Sequence, residues 1–423
     1  MVPGAAQGRL SSSGDSVKSF RSILLSAAFR WFATGIYLAA SLGFCSRALG
    51  APKDDKALKE ALHKDLQNYL TSRGSIEHIS TLSMNITFRG SKKEITDAVG
   101  TTEYGGGRPV TPDDLFQIGS NTKAFTSTLL LQLEADKLLS IDDTLGKWLP
   151  QYPAWKNVKI RQLLDMTSGI PTYEATPAWN DDYDDNPHRV FTSEGLVAYV
   201  YPQIRTPGKT WAYSNTNFIL GQMIIEKASR SHSYKKEVDR LIADNSLKDT
   251  FYEPDFYPAF VNRRLVSGYL VNPDDDGLKK LLGTDTKNYS LGWTQGAGGI
   301  ISNPKGFDRW VRALFEGDVL KPTQKKELES LVSIPDAVKI DKTSKEYPRA
   351  FGLGVFQITE RPLGLFWAYQ GSTIGYRATY AYLPDSGLII SVFTNSQTAD
   401  KLNELNHVLL PELYETLKKF GKI

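Results

Sequence analysis

Four strand-like segments follow one another near the end of this chain, and they narrow its fold more than any other feature. They are "FGLGVFQITE", "GLFWAYQG", "GYRATYAYLP" and "GLIISVFTNS", the last two joined by the turn "PDSG". A second group of alternating segments, "STLSMNITFRG" and "KKEITDAVGTT", reads as a hairpin near the start. A single sheet built from both groups must close between the two ends of the chain, so the middle hangs outside it as an insertion. That middle, about 145–290, is rich in Trp, Tyr, Pro and acids, and its regular pieces "IRQLLDMTSG" and "NFILGQMIIEKAS" look helical. Ahead of the first strands, "KALKEALHKDLQNYLTSR" places Leu58, Leu62, Leu66, Tyr69 and Leu70 on one helix face. A last segment, "KLNELNHVLLPELYETLKKF", reads as a helix interrupted at Pro411. The expected class is α+β: an antiparallel sheet flanked by terminal helices, its sheet part about 51–145 and 290–423, with a mostly helical subdomain inserted at about 145–290.

With 423 residues, 41% of them hydrophobic, the chain can bury a large core. The net charge of +3 is carried by the first 50 residues, where Arg9, Lys18, Arg21, Arg30 and Arg47 face a single acid, Asp15. The basic balance therefore points to no nucleic-acid partner. The same segment reads as an export signal: a basic region to Arg30, the apolar run "WFATGIYLAASLGFC", then small residues around Gly50 and Ala51 where a peptidase could cut. The expectation is a periplasmic or secreted protein over 51–423, with a membrane anchor formed by an uncleaved signal as the alternative. The run is shorter than the ~20 residues a spanning helix needs, so no stable membrane span is expected after cleavage. Cys45, the only cysteine, falls within the signal, which leaves the mature chain no thiol nucleophile and no thiolate metal site.

Ser120-Asn121-Thr122-Lys123 is an S-x-x-K tetrad, which on a helix sets the serine and lysine on one face, a turn apart. Two further tetrads, Ser233 to Lys236 and Ser302 to Lys305, lie in a polar run and a proline-containing loop. Ser120 differs by context, because "LFQIGS" delivers it from an apolar segment and "AFTSTLLLQL" continues into a helix that must be buried. A lysine held there is either paired or deprotonated, since desolvation lowers its pKa. Downstream, Tyr213-Ser214-Asn215 reads locally as a cap for the helix that follows, closed by Ser214 or Asn215. The five histidines show no metal-ligand spacing.

Taken together, these motifs resemble those of the serine penicillin-recognising enzymes: class C β-lactamases, serine D-alanyl-D-alanine carboxypeptidases and related esterases. Five blocks from about 80 to 400 carry the likeness in order, among them "LFQIGSNTKAFTSTLLLQLEADKLL", "PGKTWAYSNTNFILGQMIIEKAS" and "QGSTIGYRATYAYLP". The resemblance implies a cleft between a sheet domain and a helical domain, with no metal and no cofactor. It implies that Ser120 forms an acyl-enzyme, that Lys123 and Tyr213 share the proton work, Tyr213 as a phenolate, and that Asn215 meets the substrate amide. The amides of Ser120 and Ser372 would form the oxyanion hole beside Gly371. Where the family places a cation and a hydroxyl before that glycine, this chain has Tyr369 and Gln370. A phenol pairs more weakly with a carboxylate than a cation does, unless Arg377 supplies the charge instead. The function expected is an exported serine hydrolase, a D-alanyl-D-alanine carboxypeptidase-like peptidase or amidase, or an esterase. Its substrate would be a small-molecule or peptidyl acyl compound, a peptidoglycan stem peptide included. The alternatives are a β-lactamase, or a non-catalytic cell-wall binding protein that keeps the fold.

Overall fold

A computed structural model describes residues 55–272, 277–399 and 402–423. The export signal and Cys45 lie outside the described residues. Helix α1, Asp55–Glu77, opens the described chain and leads into strands β1 (Thr81–Thr87), β2 (Glu94–Glu103) and β3 (Gly106–Pro109). Helices α2 (Thr122–Ala135), α3 (Thr216–Ala228) and α4 (Pro304–Glu316) belong to the middle of the chain. The sheet then resumes with β4 (Leu331–Ser333), β5 (Lys339–Ile340), β6 (Arg349–Phe351), β7 (Phe356–Glu360), β8 (Gly364–Thr373), β9 (Tyr376–Leu383) and β10 (Leu388–Thr394), before α5 (Leu410–Lys419).

These strands form one ten-stranded sheet in the order β3-β2-β1-β10-β9-β8-β7-β6-β4-β5. Its pairings are antiparallel throughout, and β1 against β10 joins the two ends of the chain. The sheet resumes at residue 331, earlier than the strand patterns alone suggest, because β4 and β5 are too short to show a period.

Alternation along β1 divides the core. Leu82, Met84 and Ile86 face the terminal helices, where they meet Leu58, Leu62 and Leu66 of α1 and Leu413 and Leu417 of α5. Asn85 points to the other face and donates to the buried Asp308 of α4 at 2.8 Å. On that face Phe307 of α4 packs against Tyr380 and Phe393, while Trp310 stacks on Phe125 of α2 at 3.8 Å. Pro411 sits in the first turn of α5, where a missing N–H costs nothing, directly after a wide turn at Leu405–Leu409. The interruption expected at this proline is therefore the boundary between two helical geometries.

Candidate active site

The apolar segment before Ser120 ends in a tight turn, Gly119–Asn121, and α2 begins one residue later. Two glycines let this turn touch the sheet. Gly119 has φ +51°, and a Cβ there would lie 2.5 Å from the carbonyl oxygen of Ser372. A Cβ on Gly371 would lie 2.0 Å from the Ile118 oxygen and 2.8 Å from the Ser120 nitrogen. Backbone meets backbone here, with no room for a side chain from either partner. The amides of Ser120 and Ser372 are thereby drawn to one place. Asn121 ties the contact down by donating to Ile118 O and Ala378 O, each at 2.9 Å.

Lys123 follows one turn along α2 and has no exposed surface. Its Nζ is 2.9 Å from Ser120 Oγ, 2.5 Å from Asn215 Oδ1 and 2.9 Å from the carbonyl of Ala297, in the short helix Gln295–Gly298. Tyr213 and Asn215 arrive on an extended segment held by the preceding loop: Ala212 N donates to Met166 O at 3.0 Å and Asn215 N to Thr172 Oγ1 at 3.0 Å. The Tyr213 hydroxyl is 2.6 Å from Ser120 Oγ, and Tyr369 donates to it from β8 at 3.2 Å. Tyr369 stands edge-on to Phe356 with ring centroids 4.8 Å apart.

Asn215 precedes α3 but makes no side-chain cap, contrary to the local reading of Tyr-Ser-Asn. Its amide oxygen accepts from Lys123, and its amide nitrogen donates to the carboxylate of Glu174. The other oxygen of Glu174 accepts from Thr172. A carboxylate, an amide, an amine and the serine hydroxyl thus form one continuous chain of hydrogen bonds. Glu174 is half-buried, and nothing in "PTYEATP" marks it from the sequence; only folding carries it to Asn215.

Burial lowers the pKa of Lys123 to about 7, opposed in part by the negative charge of Glu174. Desolvation pushes the Glu174 carboxyl upward, and it pushes the Tyr213 phenol well above its ordinary value. Burial thus favours the neutral phenol at Tyr213, whose ring centroid lies 4.9 Å from Lys123 Nζ. A neutral amine beside Ser120 can accept its proton, whereas an ammonium cannot. Hydrolysis should accordingly rise with pH through the neutral range and level off above it, falling about tenfold per pH unit on the acid side. Glu174→Gln removes a charge that holds the proton on Lys123, so the acid limb should move to lower pH. Profiles of kcat/KM from about pH 5 to pH 9 measure both; a limb that stays in place in the variant would disconnect Glu174 from Lys123.

Of the residues expected at the site, Ser120, Lys123, Tyr213, Asn215, Tyr369, Gly371 and the backbone of Ser372 converge. Gln370 does not, because alternation along β8 turns its side chain to the opposite face, where its amide oxygen accepts from Asn406 at 2.9 Å. Arg377 does not supply a charge to the cleft. It is buried on the α1 side of the sheet, donating to Glu77 and Asn403 at 2.7 Å each and to the Ser396 carbonyl at 2.7 Å. The other two tetrads are structural: Ser233 caps the helix that contains Lys236, and Ser302 ends a buried strand.

Residues 73–412 match the family model described as Beta-lactamase. The chain belongs to the beta-lactamase family. Among relatives of this family, penicillin-binding protein 4* of Bacillus subtilis (strain 168) is 26% identical over 73% of this chain and 68% of its own length. The teichoic acid D-alanine hydrolase of Staphylococcus aureus is 22% identical over 70% of this chain and 66% of its own length. The chain spans about two thirds of the length of each. Among solved structures, D-amino acid amidase from Ochrobactrum anthropi SV3, complexed with L-phenylalanine amide, shares the fold with TM-score 0.71 and 21% identity, over 86% of this chain and 99% of that one. This member of the family is a serine hydrolase. No helix among the described residues is long and apolar enough to cross a membrane.

Proposed function

We propose that this chain hydrolyses esters or amides of amino acids that carry a free α-amino group, through an acyl-enzyme on Ser120. The observation behind this reading is the charge pattern of the cleft. A neutral phenol, Tyr369, occupies the position where the family usually offers a cation to a substrate carboxylate. A carboxylate, Glu174, lies behind Asn215 on the other side of Ser120. Such a cleft favours a cationic acyl group and has little to offer an anionic one at Tyr369. The names of the relatives agree in kind, since one is an amidase of D-amino acids and another a hydrolase of D-alanine.

In this mechanism Ser120 Oγ attacks the acyl carbon as its proton passes to the neutral Lys123. The carbonyl oxygen takes up negative charge between the amides of Ser120 and Ser372. The bond to the leaving amine or alcohol then breaks, and Tyr213 gives that group a proton and recovers one from Lys123. Water repeats the sequence on the ester of Ser120 and releases the acid. Tyr369 holds the Tyr213 hydroxyl in line between nucleophile and leaving group. We also propose that the first 50 residues direct export, which would bring the site to cell-envelope substrates.

Treatment with a fluorophosphonate followed by peptide mass spectrometry should place the adduct on the peptide containing Ser120. An adduct at Ser233 or Ser302, or none, removes the assignment. D-Alanine p-nitroanilide should be cleaved at least ten times faster than its N-acetyl derivative, and nitrocefin should acylate slowly. Equal rates for the free and acetylated substrates would remove Glu174 from substrate selection.

A further inference from the structure

A cavity of about 250 Å³ lies on the face of the sheet that carries the terminal helices, between β7, β8 and the start of α5, with β8 separating it from Ser120. Its base is apolar, since Leu363, Phe366, Ala368 and Leu410 belong to the same buried cluster as the inward faces of α1 and α5. Its mouth is charged. Arg349, Glu360, Arg361 and His407 stand there exposed to solvent. The one carboxylate is shared, at 3.8 Å from Arg349 and 3.9 Å from His407, and Arg361 has no ion pair among the described residues. Between base and mouth, the paired residues Gln370 and Thr379 meet Asn406: Thr379 donates to it at 2.7 Å, and it donates to Gln370 at 2.9 Å. That chain uses the amide oxygen of Gln370 and leaves its amide nitrogen, a donor, without a partner among the described residues. Tyr369, also on the cavity wall, turns its hydroxyl the other way, to Tyr213.

Base and mouth ask for different things of an occupant. The base rewards an apolar body, whereas the two guanidiniums and the unpaired amide nitrogen are donors that outnumber the acceptors around them. A cation would meet Arg349 and Arg361, and an uncharged body would leave the donors facing nothing. A carboxylate on an apolar body satisfies both halves. An apolar cavity of about 150 Å³ holds benzene, so this one has room for about eight carbons. We infer that the cavity is a second binding site, separate from the cleft of Ser120, for a small monocarboxylate with an apolar body of that size. The body lies against Phe366, Ala368 and Leu410, and the carboxylate faces Arg361. Binding there requires nothing of the chemistry at Ser120. Its occupant nonetheless rests on Ala368 and Gln370, the residues on either side of Tyr369, and so backs onto the strand that brings Tyr369 and Ser372 to the cleft.

The test is calorimetric titration of the purified protein with octanoate, butyrate, octanol and octylamine. Octanoate should bind as a single molecule per chain. Each methylene that leaves water is worth about fourfold in affinity, so octanoate should bind roughly a hundredfold more tightly than butyrate. Octanol has the same body without the charge and octylamine has the opposite charge, and each should bind about tenfold more weakly than octanoate or worse. Arg361→Glu, a substitution at an exposed position, should weaken octanoate about fivefold or more and leave octanol unchanged. Leu410→Trp fills the base and should abolish binding, with thermal melting reporting that the variant is folded; if it is not, Arg361→Glu decides alone. Lys123→Ala, which removes the amine beside Ser120, should leave the affinity as it was. Absence of saturable octanoate binding, equal binding of octanol or octylamine, or an affinity that survives both cavity variants overturns the inference. So does an affinity lost in Lys123→Ala, which would place the acid in the catalytic cleft.

Discussion

Replacing Gly371 by alanine should lower turnover by roughly two to three orders of magnitude, the loss that follows removal of one oxyanion donor. The reason is spatial. The new methyl group would lie 2.0 Å from the Ile118 oxygen and 2.8 Å from the Ser120 nitrogen, so β8 and the nucleophile turn must move apart. Two of the contacts at risk are backbone atoms, which cannot swing aside, and the third, Asn121 Nδ2 at 2.8 Å, is itself held by two backbone carbonyls. Overpacking of this kind costs about 1–3 kcal/mol of stability, so thermal melting must accompany the kinetics. The informative result is a folded variant whose Ser120 is present but slow, with kcat reduced for esters and amides alike. Native kcat in a folded Gly371→Ala protein would mean that the amides of Ser120 and Ser372 are not the oxyanion site.

Lys123→Ala and Tyr213→Phe should each lose about two to four orders of magnitude in kcat/KM, the range for a positioned acid or base. Both groups contact the same Ser120 oxygen, at 2.9 Å and 2.6 Å, and one returns to the other the proton it spends. Once either is missing the transfer is broken, and removing the second should cost little more. Steady-state kinetics of the two single variants and the double variant decide this. A double variant that shows the product of the two losses would describe two independent contributions and would sink the shared proton path. Tyr213→Phe also frees the Tyr369 hydroxyl of its acceptor, so the complete cycle should be repeated in Tyr369→Phe.

The buried setting of Ser120, the proposed nucleophile, was legible in the sequence because it is local. A serine at the threshold of a helix buried on every side is a rare neighbourhood, and the structure buries Lys123 completely as that pattern requires. The sheet was legible where strands are long: β8, β9 and β10 are runs of 10, 8 and 7 residues rich in β-branched and aromatic side chains, whereas β5 has only 2 residues. Glu174 was not legible, since its meaning comes from a hydrogen bond to Asn215 across the fold. The direction of Arg377, an alternative source of charge for the cleft, was not legible for a related reason. Its place two residues past a glycine turn suggested the cleft, whereas the pleat and a buried Glu77 at the end of α1 took it to the opposite face. Gly119 lay inside a motif already noticed, but its left-handed backbone and its contact with Ser372 depend on a strand from the far end of the chain.

That last contact bears on when the protein can act. Ser120, Lys123 and the helix that bears them are synthesised long before the strand that supplies Ser372. Until β8 docks against Gly119, the proposed nucleophile has no second amide for a developing oxyanion, so a chain cut before β8 should show no hydrolysis. The proposed site is thus divided between two segments far apart in the sequence, so its competence to hydrolyse waits for the docking of β8.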